Sequence, residues 1–140
     1  MHEDKRLWIE TVLGGSPVAS RIGIRLAEIE PDRVVVALPF RPDNVTLGRI
    51  VHGGVIATLI DIAGAAASAS GADGKTAGGA TASMTVAYLA PAEGCDLVAE
   101  ALVIQRGRSQ TVSDVAVRDA DGRLVAKGLV TSRIFTAGAA

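Results

Sequence analysis

The segment from residue 54 to residue 70, "GVIATLIDIAGAAASAS", limits most strongly how this chain can fold. Nearly all of its side chains are apolar or small, and the polar ones, Thr58, Asp61 and Ser68, fall on one narrow line at helical spacing. A helix that is apolar nearly all round is buried. Gly64 costs about 1 kcal/mol relative to Ala inside a helix, which indicates a close approach of another part of the protein there. The segment therefore predicts a central, buried helix.

Strand-like segments surround this helix and predict an α+β fold. Segments 23–30 and 33–40 are separated by a Pro-Asp turn pair, and segments 81–90, 96–106, 109–120 and 123–135 show runs of alternating residues with turns such as "DADGR" between them. About six strands and one apolar helix indicate a long, curved antiparallel sheet around the helix. Helical spacing predicts a short lead-in helix over residues 3–13, and composition predicts a loop at "SGADGKTAGGA", residues 70–80.

Length and composition narrow the class of protein. The 140 residues fit one domain, residues 1–140. The 14 basic and 15 acidic side chains nearly cancel and only 3% of residues are aromatic, which argues against a nucleic-acid surface. Two histidines make a multi-histidine metal site improbable, and the lone Cys95 can form no intrachain disulfide. The charged N-terminus and the lack of an apolar run approaching roughly 18 residues predict a soluble, cytoplasmic protein without a membrane partner.

The position of Asp61 raises the question of function. A carboxylate among apolar side chains is costly unless it is paired, hydrogen-bonded or used in chemistry. Just upstream, His52, Gly53 and Gly54 stand where the helix begins, and the first N–H groups of a helix are donors without an intrahelical partner. Such donors can stabilise a developing oxyanion, while Asp61 can act as a nucleophile or as a general base for water. Together these groups can form the two halves of an acyl-transfer site. The pattern alone also allows Asp61 to be a charge on a solvated edge or a structural hydrogen-bond partner.

The spacing between the two halves predicts a dimer. Gly53 and Asp61 are eight residues apart, about 12 Å along a helix, which is too far to serve one carbonyl within one chain. If two copies pack their helices antiparallel about a two-fold axis, the N-terminus of one helix faces the middle of the other. The sequence thus predicts a homo-oligomer with two equivalent sites at the dimer interface.

These residues together resemble a known family. "HGGVIATLIDIAGAAAS", followed by "TASMTVAYLAPAEG" and "VRDADGRLVAKGLVTSR", is similar to the hotdog-fold acyl-CoA thioesterases of the PaaI type and the 4-hydroxybenzoyl-CoA thioesterase superfamily. The resemblance covers roughly residues 20–135. It implies a long sheet wrapped around a central helix, dimers that often pair into tetramers, and an acyl-CoA substrate with no metal or other cofactor.

The resemblance also implies roles for individual residues. Asp61 attacks the thioester carbonyl or activates water, the backbone N–H of Gly53 is the oxyanion donor, and Thr81 is the family's hydroxyl residue near the nucleophile. The remaining candidates are catalytic His52 and Asn44, Gly54 and Thr58 for substrate, and Arg106 and Arg108 for the phosphates of coenzyme A, with Lys127 and Arg133 as weaker candidates. The longer spacing between Asn44 and His52 departs from the family's usual pattern.

Structural interpretations of the same residues stay open from the sequence. His52 can simply cap the helix, Thr81 can be an ordinary strand residue, and Arg106 and Arg108 can be solvated turn charges. Two rival functions also remain. One is a hotdog hydratase or dehydratase that acts on enoyl or 3-hydroxyacyl thioesters and pairs a His with an acid. The other is a non-catalytic acyl-CoA-binding domain, which needs no general base.

Overall fold

The computed structural model describes residues 1–137, which form one curved six-stranded antiparallel sheet around a long helix. The helices are α1 (Glu3–Trp8), continued by a π-helical turn (Ile9–Leu13), α2 (Pro17–Ile22) and α3 (Gly53–Ser70). The strands are β1 (Arg25–Glu30), β2 (Arg33–Leu38), β3 (Val45–Leu47), β4 (Ile50–Val51), β5 (Lys75–Tyr88), β6 (Leu97–Arg106), β7 (Thr111–Arg118) and β8 (Leu124–Ala137). The sheet order is β1-β2-β6-β7-β8-β5, and β3 pairs with β4 separately. This is the hotdog arrangement that the resemblance implies.

Helix α3 lies in the concave side of the sheet, as its apolar surface predicts. It packs against β2, β5, β6, β7 and β8. Leu59 and Ile60 are fully buried, and so is Val130 on the facing strand β8. A β-carbon at Gly64 would lie 2.6 Å from Cβ of Val130, so the close approach expected at this glycine is confirmed. The core is therefore formed by the inner face of the sheet and most of the circumference of α3.

The alternation in the strands also agrees with the structure. On β7, Thr111, Ser113, Val115 and Val117 are buried, and the residues between them are only partly buried or, at Arg118, exposed. On β8, Ala126 and Val130 are buried and Leu129 is exposed, but Val125, which the alternation places on the same face as Leu129, is also fully buried. Period-two patterning thus separates the helix-facing side from the outer side on β7 and only in part on β8.

The loop expected over residues 70–80 is only partly present. Strand β5 begins at Lys75 and pairs with β8 from Lys75↔Ala137 to Tyr88↔Ala126, with irregular register between Thr76 and Gly78 and between Thr81 and Ser83. The composition of this segment favours a loop, but hydrogen bonding to the long neighbouring strand overrides that preference. The prediction of a loop is wrong for residues 75–80, and the strand carries Thr81 further inside the sheet than expected.

The segments before α3 contain more regular structure than the sequence predicts. The lead-in helix over residues 3–13 is present as α1 and the π-helical turn. Helix α2, which the sequence pattern did not indicate, begins after Ser16, whose hydroxyl accepts a hydrogen bond from the backbone N–H of Ala19. Between β2 and α3 the chain forms a short 3-10 turn (Pro42–Asn44) and the β3–β4 hairpin.

Cations from distant segments cap the C-terminus of α3. The last turn of this helix contains no basic residue. Instead, the ammonium group of buried Lys5 donates to the carbonyl of Ala72, and the guanidinium of Arg106 donates to the carbonyl of Ser68 over 3.0 Å. Cations near a helix C-terminus are stabilising because they complement the helix dipole. The N-terminal segment and β6 thereby hold the far end of α3.

Helix α3 is long enough to resemble a membrane span by length and composition. It has 18 residues with a mean hydropathy of 1.4. The expectation that no apolar run approaches roughly 18 residues is therefore wrong. However, 61% of this window is buried inside the protein. The core helix of a folded domain passes the same test, and the sheet that surrounds α3 accounts for its apolar character.

Candidate active site

The entrance to α3 is shaped by His52 and the two glycines that follow. His52 is the N-cap residue, and its Nδ1 accepts a hydrogen bond from the backbone N–H of Gly54 at 2.8 Å. An acceptor at Nδ1 assigns the neutral ring's proton to Nε2. A β-carbon at Gly54 would lie 2.9 Å from the imidazole ring, so glycine at this position permits the cap. The structure thus shows His52 as a helix cap, and a catalytic role for it stays a prediction.

The backbone N–H of Gly53 is left available by this arrangement. The N–H groups of Val55 and Ile56 donate to the carbonyl of His52, and that of Gly54 donates to the imidazole. Among residues 1–137 no acceptor is found for the N–H of Gly53. A helix N-terminus with an unused donor and no side chain over it allows close approach of an oxygen atom. Gly53 therefore offers a free N–H within the described part of the chain, and its role as an oxyanion donor stays a prediction.

Asp61 is held by a hydroxyl from the sheet. It lies in the middle of α3 on the half-buried line of the helix, and Thr81 Oγ1 donates to Asp61 Oδ1 over 2.6 Å. Thr81 pairs with Ser132 of β8, which places it on the face of the sheet that covers α3. One carboxylate oxygen is thereby fixed in direction, while the other keeps its lone pairs for a substrate or water. The structure brings together these two predicted residues, 20 positions apart in sequence.

A cavity of about 440 Å³ opens beside this carboxylate. Asp61 and Thr81 line it together with Ala65, one turn further along α3. Gly79 on the inner face of β5 and the half-buried indole of Trp8 add to its wall. The small residues on α3 and β5 leave this space open, and the N-terminal helical segment forms its other wall. The sequence analysis did not identify Trp8, because nothing in its local pattern indicates what lies opposite it.

Asn44 lies at the other end of α3, near Gly53. Its side chain is buried, and its Nδ2 donates to the backbone carbonyl of Ile22 at 2.7 Å. The backbone carbonyl of Asn44 accepts a hydrogen bond from the backbone N–H of His52 at 2.8 Å. Asn44 thus fixes the chain that leads into the helix cap. A contact between its remaining amide oxygen and a substrate stays a prediction.

The predicted substrate-binding residues differ in their surroundings. Thr58 Oγ1 donates to the carbonyl of Gly54 one turn earlier at 2.9 Å, an ordinary intrahelical bond. Arg106 is committed to three acceptors: Asp32, the Ser68 carbonyl and Thr111. Arg108 is exposed in the turn between β6 and β7. This geometry favours Arg106 as a cap of α3, which leaves Arg108 as the better placed of the two arginines for a phosphate.

The weaker cationic candidates are also engaged. Lys127 forms an ion pair with Asp114 at 2.7 Å, and the guanidinium of Arg133 lies 5.7 Å from the centre of the Phe135 ring. Within residues 1–137, no group of three or more His, Cys, Asp or Glu side chains could hold a metal ion. Asp61, Thr81 and the backbone at Gly53 stay candidates for the chemistry, together with the predicted roles of His52 and Asn44.

Comparison with known proteins places this geometry in context. Residues 48–126, more than half of the chain, match the Thioesterase superfamily. The human protein named acyl-coenzyme A thioesterase 13 is 28% identical over 113 residues, 79% of this chain and 79% of that protein. The crystal structure of a thioesterase family protein from Silicibacter pomeroyi is 25% identical, with a TM-score of 0.86 over 94% of this chain and 98% of that one. The PaaI protein from the phenylacetic acid degradation operon of E. coli shares the fold, with a TM-score of 0.83 at 21% identity over 94% of each chain.

Proposed function

Because this chain belongs to the thioesterase superfamily, we propose that it hydrolyses an acyl- or aroyl-CoA thioester to the free acid and coenzyme A. The observation that carries this proposal is the 2.6 Å hydrogen bond from Thr81 to Asp61 at the mouth of a mostly apolar cavity. A carboxylate held in one orientation beside an apolar cavity suits attack on the carbonyl of an acyl group bound there. The name of the human relative supports coenzyme A as the thiol of the substrate.

The proposed active unit is a homodimer. In one chain, the Gly53 N–H and Asp61 lie eight residues apart on α3, about 12 Å along the helix axis. Strand β5 supports pairing of two copies, since it has 14 residues, is an edge of the sheet and carries mostly exposed, small side chains. A two-fold axis at this edge would bring the Gly53 N–H of one chain opposite Asp61 of the other. Each dimer would then contain two complete sites.

One proposed mechanism uses Asp61 as a general base. Its unbound oxygen takes a proton from water while the water oxygen forms a bond to the thioester carbon. The negative charge that develops on the carbonyl oxygen accepts a hydrogen bond from Gly53 N–H across the dimer. When the intermediate collapses, the C–S bond breaks and the thiolate of coenzyme A receives the proton held by Asp61. The products are the carboxylic acid and free coenzyme A.

The second mechanism uses Asp61 as the nucleophile. A carboxylate oxygen attacks the thioester carbon, the C–S bond breaks, and coenzyme A leaves as a thiolate that takes a proton from solvent. Water then attacks the mixed anhydride and releases the acid and the original Asp61 carboxylate. Both routes use the same groups of this chain. Hydrolysis in ¹⁸O-labelled water under single-turnover conditions identifies the nucleophilic route when label enters Asp61, because only attack of water on the Asp61 carbonyl of an anhydride leaves label there.

Asp61→Asn tests the proposed function. Asparagine has nearly the same shape and can still accept from Thr81, but it can act neither as a base nor as a carboxylate nucleophile. We expect hydrolysis to fall by about three orders of magnitude or more, while the size-exclusion profile and melting temperature stay unchanged. The assay follows thiol release from a panel of aroyl- and straight-chain acyl-CoAs.

The same experiment separates the rival functions. An Asp61→Asn variant as active as the wild type would contradict the role proposed for Asp61. A wild-type protein that releases no thiol but adds water to an enoyl-CoA would be a hydratase. A protein that does neither, yet binds an acyl-CoA in calorimetry, would be a binding domain.

A further inference from the structure

Tyr88, the last residue of β5, contacts the residue that offers the candidate oxyanion donor. Its phenol O–H donates to the carbonyl of Gly53 over 2.6 Å. A β-carbon at Gly53 would lie 3.4 Å from the ring, so the ring stands beside this residue with room for no more than a methyl group between them. Tyr88 is 53% exposed, so core packing does not account for its position.

The backbone that Tyr88 holds is intrinsically weak. Gly53 and Gly54 are consecutive glycines in the first turn of a helix, where conformational freedom is greatest and intrahelical bonds are fewest. Two side chains from outside this turn secure it. His52 accepts from the N–H of Gly54, and Tyr88 donates to the carbonyl of Gly53. Both bonds hold the peptide unit between Gly53 and Gly54, and the N–H of Gly53, on the adjoining peptide unit, is the donor left for another molecule.

We propose that Tyr88 is a positioning residue that fixes the Gly53 N–H for the oxyanion of the thioester, an inference that rests on the proposed function. An oxyanion donor works by being oriented before the charge develops, so loss of its anchor lowers transition-state stabilisation. Strand β5 then supports both parts of the site, since Thr81 orients Asp61 and Tyr88, seven residues on, orients Gly53. In a dimer these contacts would serve opposite ends of the same reaction.

Tyr88→Phe removes the hydroxyl and keeps the ring against Gly53. We expect kcat to fall about tenfold and KM to rise by no more than several-fold, because the donor contacts the carbonyl oxygen of the bound thioester and contacts it more strongly as the oxyanion develops. Ser113→Ala is the matched control, since Ser113 is also a strand residue whose hydroxyl donates to a carbonyl of α3, that of Gly64 at 3.3 Å. Its kcat should stay within about twofold of wild type.

Two non-hydrolysable analogues make the readout specific. In the first, a methylene group replaces the sulfur and the carbonyl oxygen remains; in the second, the sulfur remains and a methylene group replaces the carbonyl. Tyr88→Phe should weaken binding of the ketone several-fold and leave the thioether unchanged, because only the ketone has an oxygen for the Gly53 N–H. Should the variant have a lower melting temperature, the ratio of the two affinities still isolates this effect.

Three outcomes decide the proposal. Loss of kcat with selective loss of ketone binding supports it. Wild-type kcat in Tyr88→Phe, equal weakening of both analogues, or an equal loss of kcat in Ser113→Ala overturns it while the proposed function stands. A wild-type protein that turns over no acyl-CoA refutes the proposed function and this inference with it.

Discussion

The contact between Thr81 and Asp61 can be tested by removing the hydroxyl alone. Thr81→Val keeps the shape and the β-branch of the side chain, which suits its place on β5. It deletes the 2.6 Å hydrogen bond to Asp61 Oδ1. Asp61 would then keep its charge and lose its fixed orientation, and the change reports what that orientation contributes to the reaction.

The size of the effect follows from the kind of bond. A hydrogen bond to a charged group contributes about 1.5–3 kcal/mol. Asp61 is only half buried and Thr81 is exposed in the single chain, so the lower end of this range applies. About 1.5 kcal/mol corresponds to a fall in kcat/KM of roughly tenfold. Thr81→Ser keeps the donor and should retain most of the activity.

Thiol release under steady-state conditions measures both variants against wild type, with melting temperature as the folding control. The loss should lie mainly in kcat if Thr81 orients the attacking group rather than holding the substrate. A Thr81→Val protein whose kcat/KM lies within twofold of the wild-type value would refute the role proposed for this hydrogen bond. An equal loss in Thr81→Ser would show that the methyl group, and not the hydroxyl, is what the site needs.

Two further predictions concern stability and reactivity. Gly64→Ala adds about 1 kcal/mol of helix propensity but places a methyl group 2.6 Å from Cβ of Val130. We therefore expect urea unfolding at fixed protein concentration to show a net loss of about 1–2 kcal/mol in the free energy of unfolding. A more stable variant would contradict the packing. Burial raises the pKa of the Cys95 thiol, and the carboxylates of Asp119, Asp96 and Asp121 add to the shift, so less thiolate exists at neutral pH. Alkylation of Cys95 by iodoacetamide at pH 7.5 should therefore be slower than in the urea-unfolded chain, and equal rates would argue against this environment.

The features that the sequence predicted correctly are those with a local cause. The apolar circumference of α3 required burial, Gly64 required a close neighbour, and the alternation on β7 matched its inner and outer faces. The family resemblance is confirmed by the match of residues 48–126 to the thioesterase superfamily. The resemblance placed the hydroxyl of Thr81 near Asp61. Without the resemblance, strand propensity alone would have explained a threonine at this position equally well.

The features that the sequence missed depend on contacts between distant segments. The hydroxyl of Tyr88 reaches Gly53 across 35 positions, and Trp8 meets the cavity only because α1 folds back over β5. The role of Arg106 had a weak signal, because the last turn of α3 carries no basic residue and needs a cation from elsewhere. Residues 75–80 had the composition of a loop, and only pairing with β8 makes them a strand.

The two edges of the sheet have a consequence for how many chains can join. Strand β5 offers 14 residues with one charged side chain, Lys75, whereas β1 offers six, with exposed Arg25, Glu28 and Glu30 and an irregular register between Leu26 and Glu28. Charges and bulges discourage the addition of further strands at an edge. Pairing of two chains through β5 would cover the β5 edge of each chain and leave only the two β1 edges exposed. Growth of the sheet would then stop at two copies, so the geometry that completes a catalytic site would also protect the chain from polymerising.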